Sequence, residues 1–195
     1  MKKILVGISG ASGMPLAQWV LRGLSAMPGV ETHCIVSRGA QRVLKAECAC
    51  ELEELITLTD HVYDAENLAA GPASGSWWHD TDRTSMLIVP CSMRTLGSLA
   101  GGISHNLIHR AGDVALKEGL RLVLVCRETP LSLVHLRNML TLKKAGAVIM
   151  PFSPGFYTWP SSLEEMLQHF SGRIFDQLGL QHACPRWRED TINRG

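Results

Sequence analysis

Five short apolar segments recur along the chain and predict buried β-strands. They cover residues 4–8, 32–36, 86–90, 122–126 and 147–150. Each segment is rich in Val, Ile or Leu and is nearly continuous in apolar residues, as is typical of strands that are covered on both faces. The pattern therefore predicts a sheet with helices on both of its sides.

Helical periodicity fills the intervals between these segments. It predicts helices over residues 15–25, 40–48, 106–118, 132–145 and 161–178. Ser132 and Ser161 are predicted N-caps. Gly146 and Gly179 are predicted to end the helices that precede them. Strands that alternate with helices predict an α/β fold with a single doubly wound, mostly parallel sheet, a Rossmann- or flavodoxin-like three-layer sandwich.

The chain length of 195 residues suits one domain with a full core. We expect that domain to span residues 1–182, and we expect residues 183–195 to form a C-terminal tail. The least regular pattern covers residues 65–83. An irregular stretch of that length inside a compact domain is usually functional or mobile.

Composition and charge exclude several classes of protein. The formal net charge is +1 and charged residues make up 19%, so nothing favours capture of nucleic acid or of an anionic membrane surface. No apolar stretch approaches the roughly 18 residues that cross a bilayer. The basic N-terminus meets glycines too early to build a signal peptide. The cysteines lack CxxC spacing, which predicts reduced thiols and a cytoplasmic protein.

Two groups of residues have partial metal-ligand spacing. Cys48 and Cys50 form a lone CxC pair, and His105, His109 and Asp113 lie four residues apart on one helix face. Neither group supplies the four ligands that a closed zinc site requires. We therefore expect no metal site.

The first strand leads into a glycine-rich loop, residues 7–13 with the sequence GISGASG, and then into a helix. Ligands of doubly wound sheets bind beyond the carboxyl ends of the strands, where helix N-termini offer free N–H groups to a phosphate. The GxxGxxG spacing differs from the GxGxxG fingerprint of dinucleotide sites. A tight turn without a ligand is the alternative.

The second strand ends at Ser37 and Arg38, where a NAD site would place an acidic residue. A hydroxyl and a cation suit the phosphate of a mononucleotide or the extra phosphate of NADP. The alternative is that Ser37 only caps the following helix.

Three further strand ends carry candidate chemistry. Residues 90–95, PCSMRT, combine hydroxyls with a helix start that suits a phosphate or the polar edge of a ring. Cys91 in this segment is either a nucleophile or a buried thiol. Arg127 and Glu128 place charge at a strand end, where it is costly unless it is used or the two form an ion pair. Phe156 and Tyr157 follow the fifth strand, and core filling by Phe156 is the alternative to a ligand contact.

Taken in order, these strand-end segments resemble the UbiX group of flavin prenyltransferases, which includes proteins labelled phenylacrylic acid decarboxylases. The resemblance extends from about Lys3 to Trp187. The segments that carry it are GASG at 10–13, SGS at 74–76, PCSMRT at 90–95, NLI at 106–108, LKE at 116–118, RETP at 127–130, HL at 135–136, NM at 138–139 and PGFY at 154–157.

The resemblance implies a reaction, its substrates and its partners. Reduced FMN is joined to a dimethylallyl unit from dimethylallyl phosphate, at N5 and then at C6, and phosphate leaves without help from a metal. The product, prenylated FMN, serves a UbiD-type decarboxylase. Relatives in this group form homo-oligomers, specifically dodecamers.

The resemblance also implies roles for individual residues. FMN is expected at Gly10, Ala11, Ser12, Ser37, Ser92, Met93, Arg94, Thr95 and Arg127. The prenyl phosphate is expected at Lys117, Arg127, Glu128, Tyr157 and Arg173. The expected catalytic residues are Ser12, Glu47, Lys117 and Glu128. Because Glu47, Lys117 and Arg173 fall within predicted helices, they would reach the site from its flanks or from another subunit.

Several positions depart from the pattern of the group, among them the bulky residues 77–79, His105, Gly112 and Gly119. Two other functions are alternatives. One is an FMN-dependent cysteine decarboxylase, although those enzymes carry PASANT where this chain has PCSMRT. The other is a non-catalytic accessory subunit that delivers flavin to an aromatic acid decarboxylase.

Overall fold

One parallel sheet organises the chain. The computed structural model describes residues 1–48, 51–79, 83–156 and 159–184. The described strands are β1 Lys2–Ile8, β2 Val30–Val36, β3 His61–Asp64, β4 Thr84–Cys91, β5 Arg121–Cys126 and β6 Val148–Pro151. Their order in the sheet is β3-β2-β1-β4-β5-β6, and every neighbouring pair is parallel. This order is that of a doubly wound Rossmann sheet, which confirms the predicted fold class.

Helices connect the strands and cover both faces of the sheet. The described helices are α1 Met14–Ser25, α2 Arg38–Cys48, α3 Leu52–Ile56, α4 Met93–Ala100, α5 Leu107–Lys117, α6 Leu133–Lys144 and α7 Leu163–Gln177. Buried side chains of α1, α2 and α7 join one core, and buried side chains of α4, α5 and α6 join the other.

Alternate residues of the central strand supply the two cores. In β1, Ile4, Val6 and Ile8 belong to the core under α1 and α7, whereas Leu5 belongs to the core under α5. All four side chains are fully buried. Successive strand residues point to opposite faces, so a continuous apolar strand serves both layers, as the sequence pattern predicts.

Helix ends follow the predicted signals with one shift. Ser132 caps α6 by accepting a hydrogen bond from the His135 N–H at 3.3 Å. Gly146 and Gly179 follow α6 and α7 with φ of 103° and 63°, which glycine adopts without strain. The prediction that Ser161 caps α7 is wrong. The hydroxyl of the next residue, Ser162, is the cap, because helical geometry begins one residue later.

The hydrophobic pattern of the sequence predicts neither strand β3 nor helices α3 and α4. Strand β3 has only four residues, and most of its side chains are exposed because it lies at the edge of the sheet. Helices α3 and α4 have only five and eight residues, too few for a clear period. Two short 3₁₀-helices, Gly71–Ala73 and Gly75–Trp78, give order to the irregular stretch that begins at residue 65.

The described C-terminal residues pack against α7. Nε2 of His182 lies 3.1 Å from Oδ1 of Asp176, and Cys184 lies beside Gly172. Residues 185–195 lie outside the described part of the chain, so the predicted division between residues 182 and 183 stays a prediction. Among the described residues, no helix is both long enough and apolar enough to cross a membrane.

Candidate functional site

A cleft of about 480 Å³ lies beyond the carboxyl ends of β1, β2 and β4. The strand order reverses between β1 and β4, which is where doubly wound sheets bind ligands. The predicted FMN-binding residues Gly10, Ser37, Ser92, Arg94 and Thr95 all line this cleft. Three separate strand-end segments therefore meet there, as the sequence predicts.

Three helix N-termini point into this cleft. The hydroxyl of Ser37 accepts a hydrogen bond from the Ala40 N–H at 3.1 Å at the start of α2. Ser92 is the corresponding cap of α4 and Asn106 that of α5. Ser37 therefore caps a helix and also lines the cleft, so both interpretations of this residue hold. The combined helix dipoles make the cleft favourable for an anion.

Arginine side chains add to this positive potential. Arg38, Arg42 and Arg94 line the cleft, and Glu66 lies opposite with its carboxylate 3.8 Å from Nε of Arg38. All four side chains are exposed, so they can reorient toward a ligand. A phosphate would gain charge-assisted hydrogen bonds there.

Ser9 is a residue of this site that the sequence analysis did not select. Its buried hydroxyl donates to the Pro90 carbonyl at 2.9 Å and accepts from the Ser92 N–H at 2.8 Å. These bonds hold the loop after β1 against the segment after β4. The N–H of Ala11 in turn donates to the Ser9 carbonyl at 2.9 Å. Met93, also predicted to contact FMN, is partly buried against the core under α4.

The space around Gly10 is too small for a side chain. A Cβ at Gly10 would lie 3.0 Å from the carbonyl carbon of Gly39, because the loop after β1 touches the start of α2. That distance is tighter than ordinary van der Waals contact, and the atom in the way is backbone. The close approach explains the glycine and fixes one wall of the cleft.

His109 forms the buried floor of the cleft. Its Nε2 lies 3.4 Å from the Thr95 hydroxyl, and its Nδ1 accepts a hydrogen bond from the His105 N–H at 3.4 Å. Burial, reinforced by His105 and Arg94, lowers the pKa of His109 to about 4. The imidazole is therefore neutral at physiological pH. The only sequence signal for it is its helical spacing from His105.

A second, smaller cleft of about 300 Å³ lies on the other side of the glycine loop. Ser12 and Glu47 line it together with the apolar side chains Phe152, Leu163 and Leu167. Glu47 reaches this cleft from α2 of the same chain. The resemblance implies catalytic roles for both Ser12 and Glu47, and the structure brings the two residues together.

The Glu47 carboxylate caps α1. Its Oε2 accepts the N–H groups of Gly13 and Met14, each at 2.9 Å. Partial burial raises the pKa of Glu47, but the hydrogen bonds from Ser12, Gly13 and Met14 and the charge of Arg127 outweigh it, so the pKa lies below its usual value. The carboxylate is ionised at neutral pH, next to the predicted reaction centre.

Arg127 and Glu128 follow β5 at the same edge of the sheet. Arg127 is half-buried and its N–H donates to the Cys91 carbonyl at 3.3 Å. Glu128 is exposed and its Oε1 accepts from the Thr129 N–H at 3.0 Å. Within the described part of the chain no ion pair joins Arg127 to Glu128, so both charges are available to a ligand.

Cys91 is a buried thiol rather than a nucleophile. Its side chain is fully buried beside Cys126, its partner across the β4–β5 pair. A hydrogen bond with Cys126, together with burial, raises the pKa of Cys91 well above its usual value. The neutral thiol is the less reactive form.

Lys117 does not reach the cleft of its own chain. Helix α5 starts at the cleft with its cap Asn106 and ends at Lys117, roughly 15 Å away along the helix. There the Lys117 ammonium pairs with Glu118 next to Gly75. Lys117 lines neither cleft of its own chain, so its role in the prenyl phosphate site stays a prediction.

Arg173, like Lys117, lines neither cleft of its own chain. It is 57% exposed on α7 and its guanidinium donates to Asp176 at 2.8 Å. Leu163 and Leu167 of α7 line the second cleft, whereas Arg173, six residues after Leu167, does not. Tyr157 lies outside the described residues. Its neighbour Phe156 is 69% exposed, so core filling by Phe156 is wrong.

The group of His105, His109 and Asp113 does not form a metal site within the described residues. Asp113 pairs with Arg110 at 2.6 Å, and His109 turns toward Thr95. Of the CxC pair, Cys50 lies outside the described residues.

Comparison with known proteins assigns the chain to a family. The model of a family described as "Flavoprotein" matches residues 1–167. The flavin prenyltransferase UbiX of Deinococcus radiodurans is 48% identical over 190 residues, which cover 96% of this chain and 94% of that protein. The chain belongs to the UbiX group of the flavoprotein family.

Two solved structures of UbiX-group proteins have the same fold. A dodecameric FMN-dependent UbiX-like decarboxylase from Escherichia coli O157:H7 is 40% identical, with a TM-score of 0.90 over 95% of this chain and 99% of that one. The protein AnUbiX, solved in complex with FMN and dimethylallyl pyrophosphate, is 40% identical, with a TM-score of 0.88 over 96% of this chain and 99% of that one.

Proposed function

We propose that this chain is a flavin prenyltransferase that joins a dimethylallyl unit from dimethylallyl phosphate to reduced FMN. The product is prenylated FMN. The observation that carries the proposal is the pair of clefts on either side of the glycine loop. One is cationic and rimmed by helix N-termini, and the other is apolar with a carboxylate at its edge, so the two suit a flavin phosphate and a reacting ring with its prenyl group.

FMN fits the larger cleft better than NAD(P) does. The end of β2 offers Ser37 and Arg38 in place of the acidic residue that holds the ribose of NAD. Ser92, Thr95 and Arg94 supply further donors for a single phosphate. A volume of about 480 Å³ lies within the range of cofactor sites. Ala11, Ser12, Met93 and Arg127 complete the proposed flavin contacts.

The reduced flavin would supply two nucleophilic ring atoms: N5 would bond to the allyl carbon and lose its proton, and C6 would then bond to one carbon of the remaining alkene, whose other carbon gains a proton while C6 loses one. The C–O bond of the prenyl phosphate breaks, and the electron pair leaves with the phosphate. Positive groups stabilise that departing charge best where water is excluded. We assign this role to Arg127 of the same chain, with Glu128 orienting the substrate and Tyr157 donating a hydroxyl.

Glu47 and Ser12 act at the flavin side. The Glu47 carboxylate is ionised and held by two backbone N–H groups, so its position is fixed. It can accept a proton that the flavin loses on bond formation, and Ser12 lies within hydrogen-bonding reach of it.

A neighbouring subunit completes the site. Lys117 at the end of α5 and Arg173 in the second half of α7 line neither cleft of their own chain, which supports their use by a neighbouring subunit. Helix α6 carries a row of exposed apolar side chains: Leu133, Val134, Leu136 and Leu140. Such a surface is typical of a protein–protein interface. We therefore propose a homo-oligomer, and the dodecameric relative supports twelve subunits.

The product has a recipient of known chemistry. Prenylated FMN would be passed to a UbiD-type decarboxylase. Nothing in the two clefts favours a nucleic acid as a substrate. A cytoplasmic location suits reduced thiols such as Cys91 and Cys126, which form no disulfide.

The decisive experiment is an anaerobic incubation of the purified protein with reduced FMN and dimethylallyl phosphate. We expect a flavin that gains one five-carbon unit in mass spectrometry and a new absorbance spectrum. Parallel incubations with dimethylallyl diphosphate and without any prenyl donor are the controls. Tight FMN binding without a change in the mass of the flavin in any incubation would refute catalysis. That result would favour the alternative, a non-catalytic accessory subunit.

A further inference from the structure

A second polar cluster lies on the sheet away from the flavin clefts. It consists of Glu31 and His33 on β2 and His61 on β3. His33 and His61 are paired residues on neighbouring strands, and Glu31 precedes His33 by two positions on the same face. His33 stands four residues before Ser37, so the two residues lie roughly 13 Å apart along the strand direction. The proposed prenyl transfer does not use this cluster.

The ligand atoms of the cluster converge. Oε1 of Glu31 lies 3.0 Å from Nε2 of His61 and 3.3 Å from Nε2 of His33, and all three atoms lie within 4.8 Å of one another. A tetrahedral zinc ion with bonds of about 2.0–2.1 Å separates its ligand atoms by roughly 3.3 Å. The separation between Glu31 and His33 matches that value, and the separation between Glu31 and His61 is 3.0 Å.

His33 has a buried ring nitrogen that makes no hydrogen bond. The side chain is 4% exposed, and among the described residues Nε2 makes no hydrogen bond, because its contact with Glu31 lacks hydrogen-bond geometry. A buried imidazole nitrogen that makes no hydrogen bond, 3.3 Å from a carboxylate oxygen and beside a second imidazole, suits a metal ion.

Neighbouring side chains hold His33 in place. Its Nδ1 lies 3.0 Å from the Tyr63 hydroxyl, and its ring stacks on His61 and meets Trp77 edge-on. When Nδ1 carries the proton and donates to Tyr63, the lone pair of Nε2 is free for a metal. Such outer partners commonly fix the tautomer of a ligating histidine.

We propose that Glu31, His33 and His61 bind a divalent transition metal of the zinc class, with water at the fourth position. Glu31 and His61 are 25% and 51% exposed, which gives the ion a path of entry. Two imidazoles and one carboxylate favour zinc over magnesium or calcium. The ion would tie the short edge strand β3 to β2.

The test uses chelator-treated full-length protein and Co²⁺ as the probe. We expect one Co²⁺ per chain, visible-region absorption of a four-coordinate ion, and its displacement by Zn²⁺. His61→Ala removes an exposed ligand with little risk to folding and should weaken binding by roughly 100-fold or more, and Glu31→Gln should act in the same direction. His79→Ala, at another exposed histidine, is the matched control and should bind as the parent does.

Tyr63→Phe and thermal unfolding give independent measures. Loss of the hydroxyl should weaken Co²⁺ binding by roughly 10- to 100-fold, the usual effect of removing a partner of a ligating histidine. Zn²⁺ should raise the melting temperature of the parent protein but not of His61→Ala. Equal Co²⁺ affinity of parent and His61→Ala, an absence of binding, or a thiolate-to-cobalt band retained in His61→Ala would each overturn the proposal.

Discussion

The Glu47 carboxylate should stabilise the fold as well as serve the site. Glu47→Ala leaves the N–H groups of Gly13 and Met14 without their acceptor at the start of α1. Loss of a side-chain cap costs about 0.5–2 kcal/mol, and bonds to a charged acceptor lie at the upper end. We expect the free energy of unfolding to fall by about 2 kcal/mol, a decrease of roughly 4–8 °C in melting temperature for a chain of this size.

Glu47→Gln separates the hydrogen bonds from the charge. The amide oxygen can still accept both N–H groups, so only the charge and its interaction with the helix dipole are lost, about 0.5–1 kcal/mol. Glu164→Gln is the matched control, because Glu164 is an exposed acid in the first turn of α7. It should change the melting temperature by less than Glu47→Gln does. Both variants should be compared at one protein concentration.

The pH dependence has a definite sign. Since the pKa of Glu47 is lower in the folded than in the unfolded protein, its contribution to stability is present above the unfolded value near 4.5. It is lost as the pH falls through the folded value. The gap in melting temperature between the parent protein and Glu47→Gln should therefore be full at pH 7 and shrink in acid. A Glu47→Ala protein with an unchanged melting temperature at pH 7 would refute the capping argument.

Further predictions concern the other parts of the molecule. Arg173→Ala should leave the FMN dissociation constant nearly unchanged and slow single-turnover prenylation by roughly 10²-fold, whereas loss of FMN binding would contradict the division of the site. Leu136→Glu should shift the light-scattering mass toward smaller species because it buries a charge in the proposed interface, and an unchanged mass would exclude α6 from that interface. The neutral form of His109 adds stability above pH about 6.5 that is lost as the pH falls toward about 4. His109→Gln should therefore lose less stability over that interval in urea titrations, and an equal loss would show that His109 does not titrate as described.

The sheet and its ligand-binding edge could be predicted because they depend on local patterns. Each apolar segment marks a buried strand, and the residue that follows the segment must lie at the carboxyl edge of the sheet. Ser37, Ser92 and Arg94 could be selected for this reason, before any geometry was known. Strand β3 could not, because an exposed edge strand has no apolar run.

Contacts between distant parts of the chain could not be predicted, because they leave no local pattern in the sequence. The bonds from Glu47 to Gly13 and Met14 span more than thirty positions. The two bonds of Ser9 and the convergence of His33 with His61 likewise require the folded sheet. The sequence resemblance placed Lys117 and Arg173 in the site, but only the folded chain shows that neither residue lines the two clefts.

Complementation between two inactive variants tests the central claim, a prenyl transfer site shared between subunits. Glu47→Gln disables the flavin side of its own chain, and Lys117→Ala disables the cation it lends to a neighbour. Each variant alone should form almost no prenylated FMN. Co-expressed in equal amounts, they should recover roughly a quarter of the parent rate, since random assembly pairs intact halves in that fraction of sites. A mixture as inactive as its components would contradict a shared site.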